Sequence, residues 1–133
     1  WGKDKILARP RKNSKWGTER IGSGAPPIKT KKGWLLIYHG DDGHGEKRKY
    51  SAGAILLDLK NPEKILARSS VTHPLFTPDE KFEKEGFVNN VVFPTAAIPT
   101  LDEKSLLVYY GAADKFICVK KIPLKHIFSH LGV

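Results

Sequence analysis

The sequence predicts an all-β protein built from repeated antiparallel strands and ended by one short helix. Three observations predict it: short bulky apolar segments bounded by turn residues, an internal repeat, and one stretch of helical periodicity near the C-terminus. Of 133 residues, 40% are hydrophobic and 28% charged, the balance of a folded domain and of neither a membrane span nor a disordered chain. No apolar stretch reaches the roughly eighteen residues that a membrane-spanning helix needs. The chain opens at Trp1 and contains no Met, so it is expected to be an excised piece, and a truncated start would also remove any signal peptide.

Residues 1–33 are rich in Lys, Arg, Gly and Pro, and are expected to be loop with short extended pieces. Residues 34–38, Trp-Leu-Leu-Ile-Tyr, form the first bulky segment, ended by His39-Gly40. Residues 53–59 form the second, ended by Asn61-Pro62. Both have the β-branched and aromatic content of strands. Between them, residues 41–49 are polar and glycine-bearing, as an exposed hairpin connection would be. Further short strands are expected at 65–68, 90–93, 96–98, 105–110 and 116–120. The helix is expected over 124–131, after Pro123, because Leu124, Ile127, Phe128 and Leu131 recur at helical spacing.

The repeat is the strongest organisational signal. Residues 27–40 recur 71 positions later as residues 98–111, sharing Leu-Leu-(Ile/Val)-Tyr-aromatic-Gly. Each copy is an extended segment, a lysine-bearing turn, a strand and a glycine exit, the sequence habit of β-propeller blades. A β-sandwich is the rival fold. The corresponding division is a leading segment at 1–25, a first blade at 26–68, a long loop at 69–89, a second blade at 90–122 and the terminal helix at 123–133.

Charge is placed unevenly. Residues 1–50 carry 13 Lys/Arg against 5 Asp/Glu, and residues 51–133 carry 10 against 9, so nearly all of the net +9 lies in the first half. A positive field of that kind suits an anionic partner, whether nucleic acid, membrane surface or small anion. Nucleic-acid binding is disfavoured because residues 1–33 interleave only Trp1 and Trp16 with the basic residues. The lone Cys118, within an apolar run, is expected to be a buried small hydrophobe, and a reduced thiol suits a cytoplasmic setting. One cysteine and scattered histidines (His44, His73, His126, His130) make no zinc pattern, so no metal site is expected. Asp79, Glu80, Glu83 and Glu85 lie beside Lys81 and Lys84, which reads as a solvated charged face.

Several motifs, in order, carry a resemblance. Residues 22–30, Gly-Ser-Gly-Ala-Pro-Pro-Ile-Lys-Thr, precede Gly-Trp-Leu-Leu-Ile-Tyr-His-Gly at 33–40; then come Tyr-Ser-Ala-Gly-Ala-Ile-Leu-Leu-Asp-Leu at 50–59, Glu-Gly-Phe-Val-Asn-Asn-Val-Val-Phe-Pro at 85–94, and Tyr-Tyr-Gly-Ala-Ala-Asp at 109–114. Together they resemble glycoside hydrolase family 130, the β-mannoside phosphorylases and relatives. The resemblance implies a five-bladed β-propeller of which this chain supplies about two C-terminal blades. It also implies inverting phosphorolysis of β-mannosides to α-mannose 1-phosphate, with inorganic phosphate as co-substrate and no other cofactor. The general acid and a pair of phosphate-binding arginines are then expected upstream of Trp1, which leaves the isolated chain inactive.

The same resemblance places phosphate contacts at Lys29 and His39, and sugar contacts at Asp114, Tyr50, Phe93 and Val88. The chemistry suits these residue types. Lysine supplies a point charge and histidine a directional donor for a dianion, a carboxylate accepts from two sugar hydroxyls, and an aromatic face packs on a pyranose. Read without the motifs, Lys29 would be a solvated strand-edge lysine, Asp114 a turn residue and Phe93 a core residue. Implied partners are a β-mannoside oligosaccharide, phosphate, the missing blades and a possible second copy, with no nucleic acid and no membrane. Two rivals stand beside this reading: a β-mannosidase of the same family that uses water, and a non-catalytic carbohydrate- or polyanion-binding module.

Overall fold

The computed structural model describes every residue except Trp1, His44, Glu46 and Lys47; the polar connection at 41–49, with its His44, is therefore described only in part. Eight strands and two short helices follow one another: β1 (Arg20–Ser23), β2 (Ile28–Thr30), β3 (Gly33–Asp41), β4 (Tyr50–Leu57), β5 (Ile65–Arg68), α1 (Lys81–Lys84), β6 (Val92–Pro99), β7 (Ser105–Ala112), β8 (Phe116–Pro123) and α2 (Leu124–Leu131). All pairing between strands is antiparallel and makes two sheets. The first runs β1-β3-β4-β5, with β2 also on β3; the second runs β6-β7-β8.

The 71-residue repeat sets β3 against β7, each a strand with partners on both sides in its own sheet. Leu35 and Ile37 of β3 and their repeat mates Leu106 and Val108 of β7 are all fully buried and share one core with Ala54, Leu56, Ile127 and Leu131. Alternation along a strand sends residues two apart to one face, so conserving the Leu-x-(Ile/Val) spacing gives each sheet the same apolar face. The two faces meet, and α2 covers them through Ile127 and Leu131. This helix occupies the residues expected. It begins after Pro123, whose extended backbone caps it, and ends at Gly132 in the left-handed conformation that closes helices.

Elsewhere the structure departs from the sequence expectation in definite ways. The first sheet starts at Arg20, inside the leading segment, because Arg20–Ser23 pairs with Tyr38–Asp41. The expected strands at 90–93 and 96–98 are one strand, β6, bent by a bulge between Pro94 and Ala96, where a proline that cannot donate to the ladder is tolerated. The loop at 69–89 contains α1, whose Glu83 is fully buried. Glu83 is thus no part of a solvated face, although Asp79, Glu80 and Glu85 are exposed. Cys118 lies on the outer strand β8 and is only half-buried. Asp41, in the connection expected to be exposed, is 1% exposed.

Candidate functional site

At one end of the first sheet, β1, β3 and β4 bring polar and aromatic groups onto a single face. The register pairs Arg20 with Asp41 and Gly22 with His39 across β1 and β3, and Asp41 with Tyr50 across β3 and β4. Directly paired residues share a face, so Arg20, Asp41, His39 and Tyr50 stand together. They continue the row that begins with the buried Leu35 and Ile37.

The carboxylate of Asp41 organises the charges. Oδ2 accepts from Arg20 Nε at 3.1 Å and Nη2 at 2.6 Å, and from Arg48 Nε at 3.2 Å and Nη2 at 3.1 Å, while Oδ1 accepts from the Gly43 N–H at 3.2 Å. Burial alone would push the Asp41 carboxyl up, but the bonds from Arg20, Gly43 and Arg48 hold it below the usual carboxylate range. Both guanidinium groups also donate to the Tyr50 hydroxyl, and that of Arg48 sits 4.8 Å from the centre of the Tyr50 ring. Two guanidinium charges on one carboxylate leave a surplus of positive charge, and the Arg20 side chain is 59% exposed.

Next to this pair lies an aromatic cluster that joins the two sheets. The His39 ring is 4.0 Å from Phe93 and 6.0 Å from Tyr50, and Tyr50 and Phe93 are also 6.0 Å apart, centroid to centroid. His39 packs across β1 because Gly22 has no side chain: a Cβ there would stand 2.4 Å from His39 Nε2. The His39 Nδ1 is enclosed and has no hydrogen-bond partner among the described residues. Burial lowers the His39 pKa, against the pull of Asp41 and with a push from Arg20, so the ring is neutral at pH 7 and offers one donor and one acceptor.

Lys29 is not brought to this cluster. It is exposed and pairs with Trp34 at the far end of β3, five residues from His39, about 16 Å along a strand. The intervening strand pairs without a bulge. Lys29 therefore shares the face of Trp34, Leu36 and Tyr38, and His39 projects from the other. In this register Lys29 and His39 stand on opposite faces of the sheet. Arg20 is the cation that the structure sets beside His39 instead, a residue that sequence reasoning passed over because its run, Arg20–Ser23, carries no strand-like periodicity.

The remaining predicted residues lie along the second sheet. Segment 85–91 runs between the start of β4 and the turn from β7 to β8. Tyr50 N–H donates to Asn90 O at 3.0 Å, Val88 N–H donates to Ala113 O at 3.1 Å, and Ala113 N–H donates to Val91 O at 3.0 Å. Val88 is half-buried and Asp114, next to Ala113, is exposed. Asn90, Ala113 and Asp114 all have positive φ, between 49° and 59°. Such conformations are uncommon for residues with a Cβ and persist where neighbouring bonds enforce them.

A β-sheet wall that sets arginines and a neutral histidine against aromatic rings, with a carboxylate in a nearby turn, has the groups that anion and sugar recognition require. Comparison with known proteins gives the family. The description "beta-1,4-mannooligosaccharide phosphorylase" of glycoside hydrolase family 130 matches residues 2–132, and this chain belongs to that family. It is 41% identical over 127 residues to the 1,2-beta-oligomannan phosphorylase of Thermoanaerobacter sp. (strain X514), covering 96% of this chain and 40% of that protein. It is 40% identical over 114 residues to the beta-1,2-mannobiose phosphorylase of Listeria innocua, covering 86% of this chain and 30% of that protein. The solved structure of the Listeria innocua beta-1,2-mannobiose phosphorylase with beta-1,2-mannobiose superimposes with a TM-score of 0.81 at 36% identity, over 92% of this chain and 33% of that one. A further solved member, described as belonging to glycoside hydrolases that target beta-1,2 mannosidic linkages in Candida mannan, superimposes with a TM-score of 0.76 at 29% identity, over 91% of this chain and 34% of that one. The chain thus spans at most about two fifths of the length of these relatives.

Proposed function

We propose that this chain forms the phosphate- and sugar-contacting wall of an enzyme that phosphorolyses β-mannosides with inversion. The observation that carries the reading is the grouping of Arg20, Arg48 and His39 beside Tyr50 and Phe93 on one end of the first sheet. Arg20 and His39 hold inorganic phosphate, Arg20 by charge and His39 by a directional N–H. The family resemblance supports Tyr50, Phe93 and Val88 as the lining of the sugar subsites and Asp114 as the acceptor from mannosyl hydroxyls. Phosphate oxygen bonds to C1 as the C1–O bond to the leaving sugar breaks, and the leaving oxygen takes its proton from a general acid. The products are α-mannose 1-phosphate and a shortened sugar.

Asp41 and Glu83 are buried and ion-paired and so do not serve as that acid, and Asp114 is assigned to the sugar hydroxyls. In a five-bladed propeller, to which this chain would contribute two blades, the acid comes from the segment upstream. Alone, the 133 residues bind but do not turn over. The lone, unpaired Cys118 fits a cytoplasmic setting, and no helix among the described residues is long and apolar enough to cross a membrane.

The second reading is hydrolysis, favoured by the relative named for hydrolysing beta-1,2 mannosidic linkages. Product analysis separates the two. Incubated with β-1,2-mannobiose, a chain that includes the upstream segment is expected to release mannose 1-phosphate only when phosphate is present, and the 133-residue chain to release nothing. Turnover unchanged by omitting phosphate would defeat phosphorolysis; mannose 1-phosphate from the 133 residues alone would defeat the shared-site account.

A further inference from the structure

We infer that Glu83 is the positioning residue of the sugar-facing wall: its buried carboxylate anchors segment 85–91 against the Ala113–Asp114 turn, and so sets where Val88 and Asp114 stand. This rests on the reading of Val88 and Asp114 as sugar contacts.

Glu83 is fully buried, at 0% exposure, in a four-residue helix that could not persist on its own. Its carboxylate is fully used. Oε2 accepts from the backbone N–H groups of Asp79 at 2.7 Å and Glu80 at 2.9 Å, Oε1 accepts from the Tyr110 hydroxyl at 2.7 Å, and Lys120 Nζ lies 3.9 Å from Oε1. Burial would push this carboxyl up, but Tyr110, the two backbone donors and Lys120 hold it below the usual range. An ionised carboxylate in the interior is costly unless paired in this way. Glu83 has no approach to a ligand and is not catalytic.

What the anchor fixes is the backbone beyond it. The Glu83 carbonyl accepts from Val91 N–H at 3.0 Å and the Lys84 carbonyl from Asn90 N–H at 3.3 Å. From there Val91 O receives the Ala113 N–H, and Ala113 O receives the Val88 N–H. Gly86 lies so close that a Cβ there would stand 2.5 Å from Ala113 O. The three left-handed residues Asn90, Ala113 and Asp114 sit within this loop of bonds. The positive φ of Ala113 and Asp114 is that of the two-residue β7–β8 turn, closed by Lys115 N–H to Ala112 O at 3.0 Å, and Glu83, bonded through Tyr110 to β7, supplies a rigid origin for the segment that packs on that turn.

The test compares Glu83→Ala, Glu83→Gln and Tyr110→Phe in the 133-residue chain, by amide hydrogen exchange and by titration with β-1,2-mannobiose and, separately, inorganic phosphate. In Glu83→Ala, exchange at Val88 and Ala113 is expected to accelerate by about tenfold or more while Leu35, Ile37 and Val108 keep their protection, as in a local opening. Glu83→Gln should stay within about threefold of the parent, because its carbonyl still accepts from Asp79 and Glu80 and its NH2 can donate to the Tyr110 oxygen. Tyr110→Phe should fall between. Mannobiose affinity should drop about tenfold in Glu83→Ala and phosphate affinity should hold, since Arg20 and His39 lie on the other sheet. Unchanged exchange at Val88 and Ala113, equal acceleration at every amide, or equal loss of both affinities would overturn the inference. A parent chain that binds neither ligand defeats the reading of the site itself, and the exchange arm then still decides whether Glu83 sets the segment.

Discussion

The His39 imidazole lies 4.0 Å, centroid to centroid, from the Phe93 ring, at an interplanar angle of 30°. His39 belongs to β3 of the first sheet and Phe93 to β6 of the second, so this contact ties one end of the first sheet to the second. Gly22 makes it possible from below by leaving room for the ring.

Gly22→Ala therefore acts on the ring rather than on the core. Its Cβ would stand 2.4 Å from His39 Nε2, and with Phe93 on the far side the ring has to turn out of the cluster. The variant is expected to lose about 1–2 kcal/mol of stability and most of its phosphate affinity. Chemical denaturation and a phosphate titration followed on the His39 ring protons check both; a parent-like titration would show that His39 does not contact the anion.

Arg20→Ala and Lys29→Ala separate the two candidate cations. Losing a charge-assisted contact should weaken phosphate binding by about tenfold or more in Arg20→Ala. Lys29→Ala, on the opposite face, should bind as the parent does. The reverse ranking in a calorimetric titration would return the role to Lys29.

Acid should destabilise the fold through two histidines. Burial lowers the pKa of His39, and burial with the nearby His73 lowers that of His130. The unfolded chain takes up these protons first, at the ordinary value of 6.5, so the contribution is complete above that pH and is lost as pH falls through the lower folded values. Urea midpoints are expected to drop between pH 7.5 and 5.5. His130→Gln, whose amide can keep the bond that His130 Nε2 shares with Ser69 Oγ at 2.8 Å, should flatten that drop; an equally steep profile would contradict it.

Ile127→Ala tests the docking of α2. Ile127 is fully buried against both sheets, and truncation of such a residue costs about 2–5 kcal/mol. A shift of the urea midpoint well below that range would mean that α2 caps the core loosely.

What the sequence made legible follows from local chemistry. The repeat named β3 and β7 as equivalent, and the shared burial of Leu35 with Leu106 and of Ile37 with Val108 bears that out. Pro123, the apolar spacing of α2 and the αL-forming Gly132 are local too, and α2 lies where expected. The misses all depend on partners distant in the chain. Glu83 looked solvated because its burial depends on Tyr110, and Asp41 looked like a loop residue because its burial depends on Arg20. Lys29 sits in a recognisable motif, but which face it takes is fixed by the pairing of β2 with β3.

The proposed function stands or falls on an anion being held at Arg20 and His39 beside the aromatic cluster. The most direct measurement is a backbone and side-chain NMR titration of the chain with inorganic phosphate. The account predicts saturable shifts confined to Arg20, Gly22, His39, Arg48 and Tyr50, with none at Lys29. Shifts that instead follow the exposed lysines of residues 3–15 and vanish uniformly with added salt, or no shift at His39 at saturating phosphate, would contradict it.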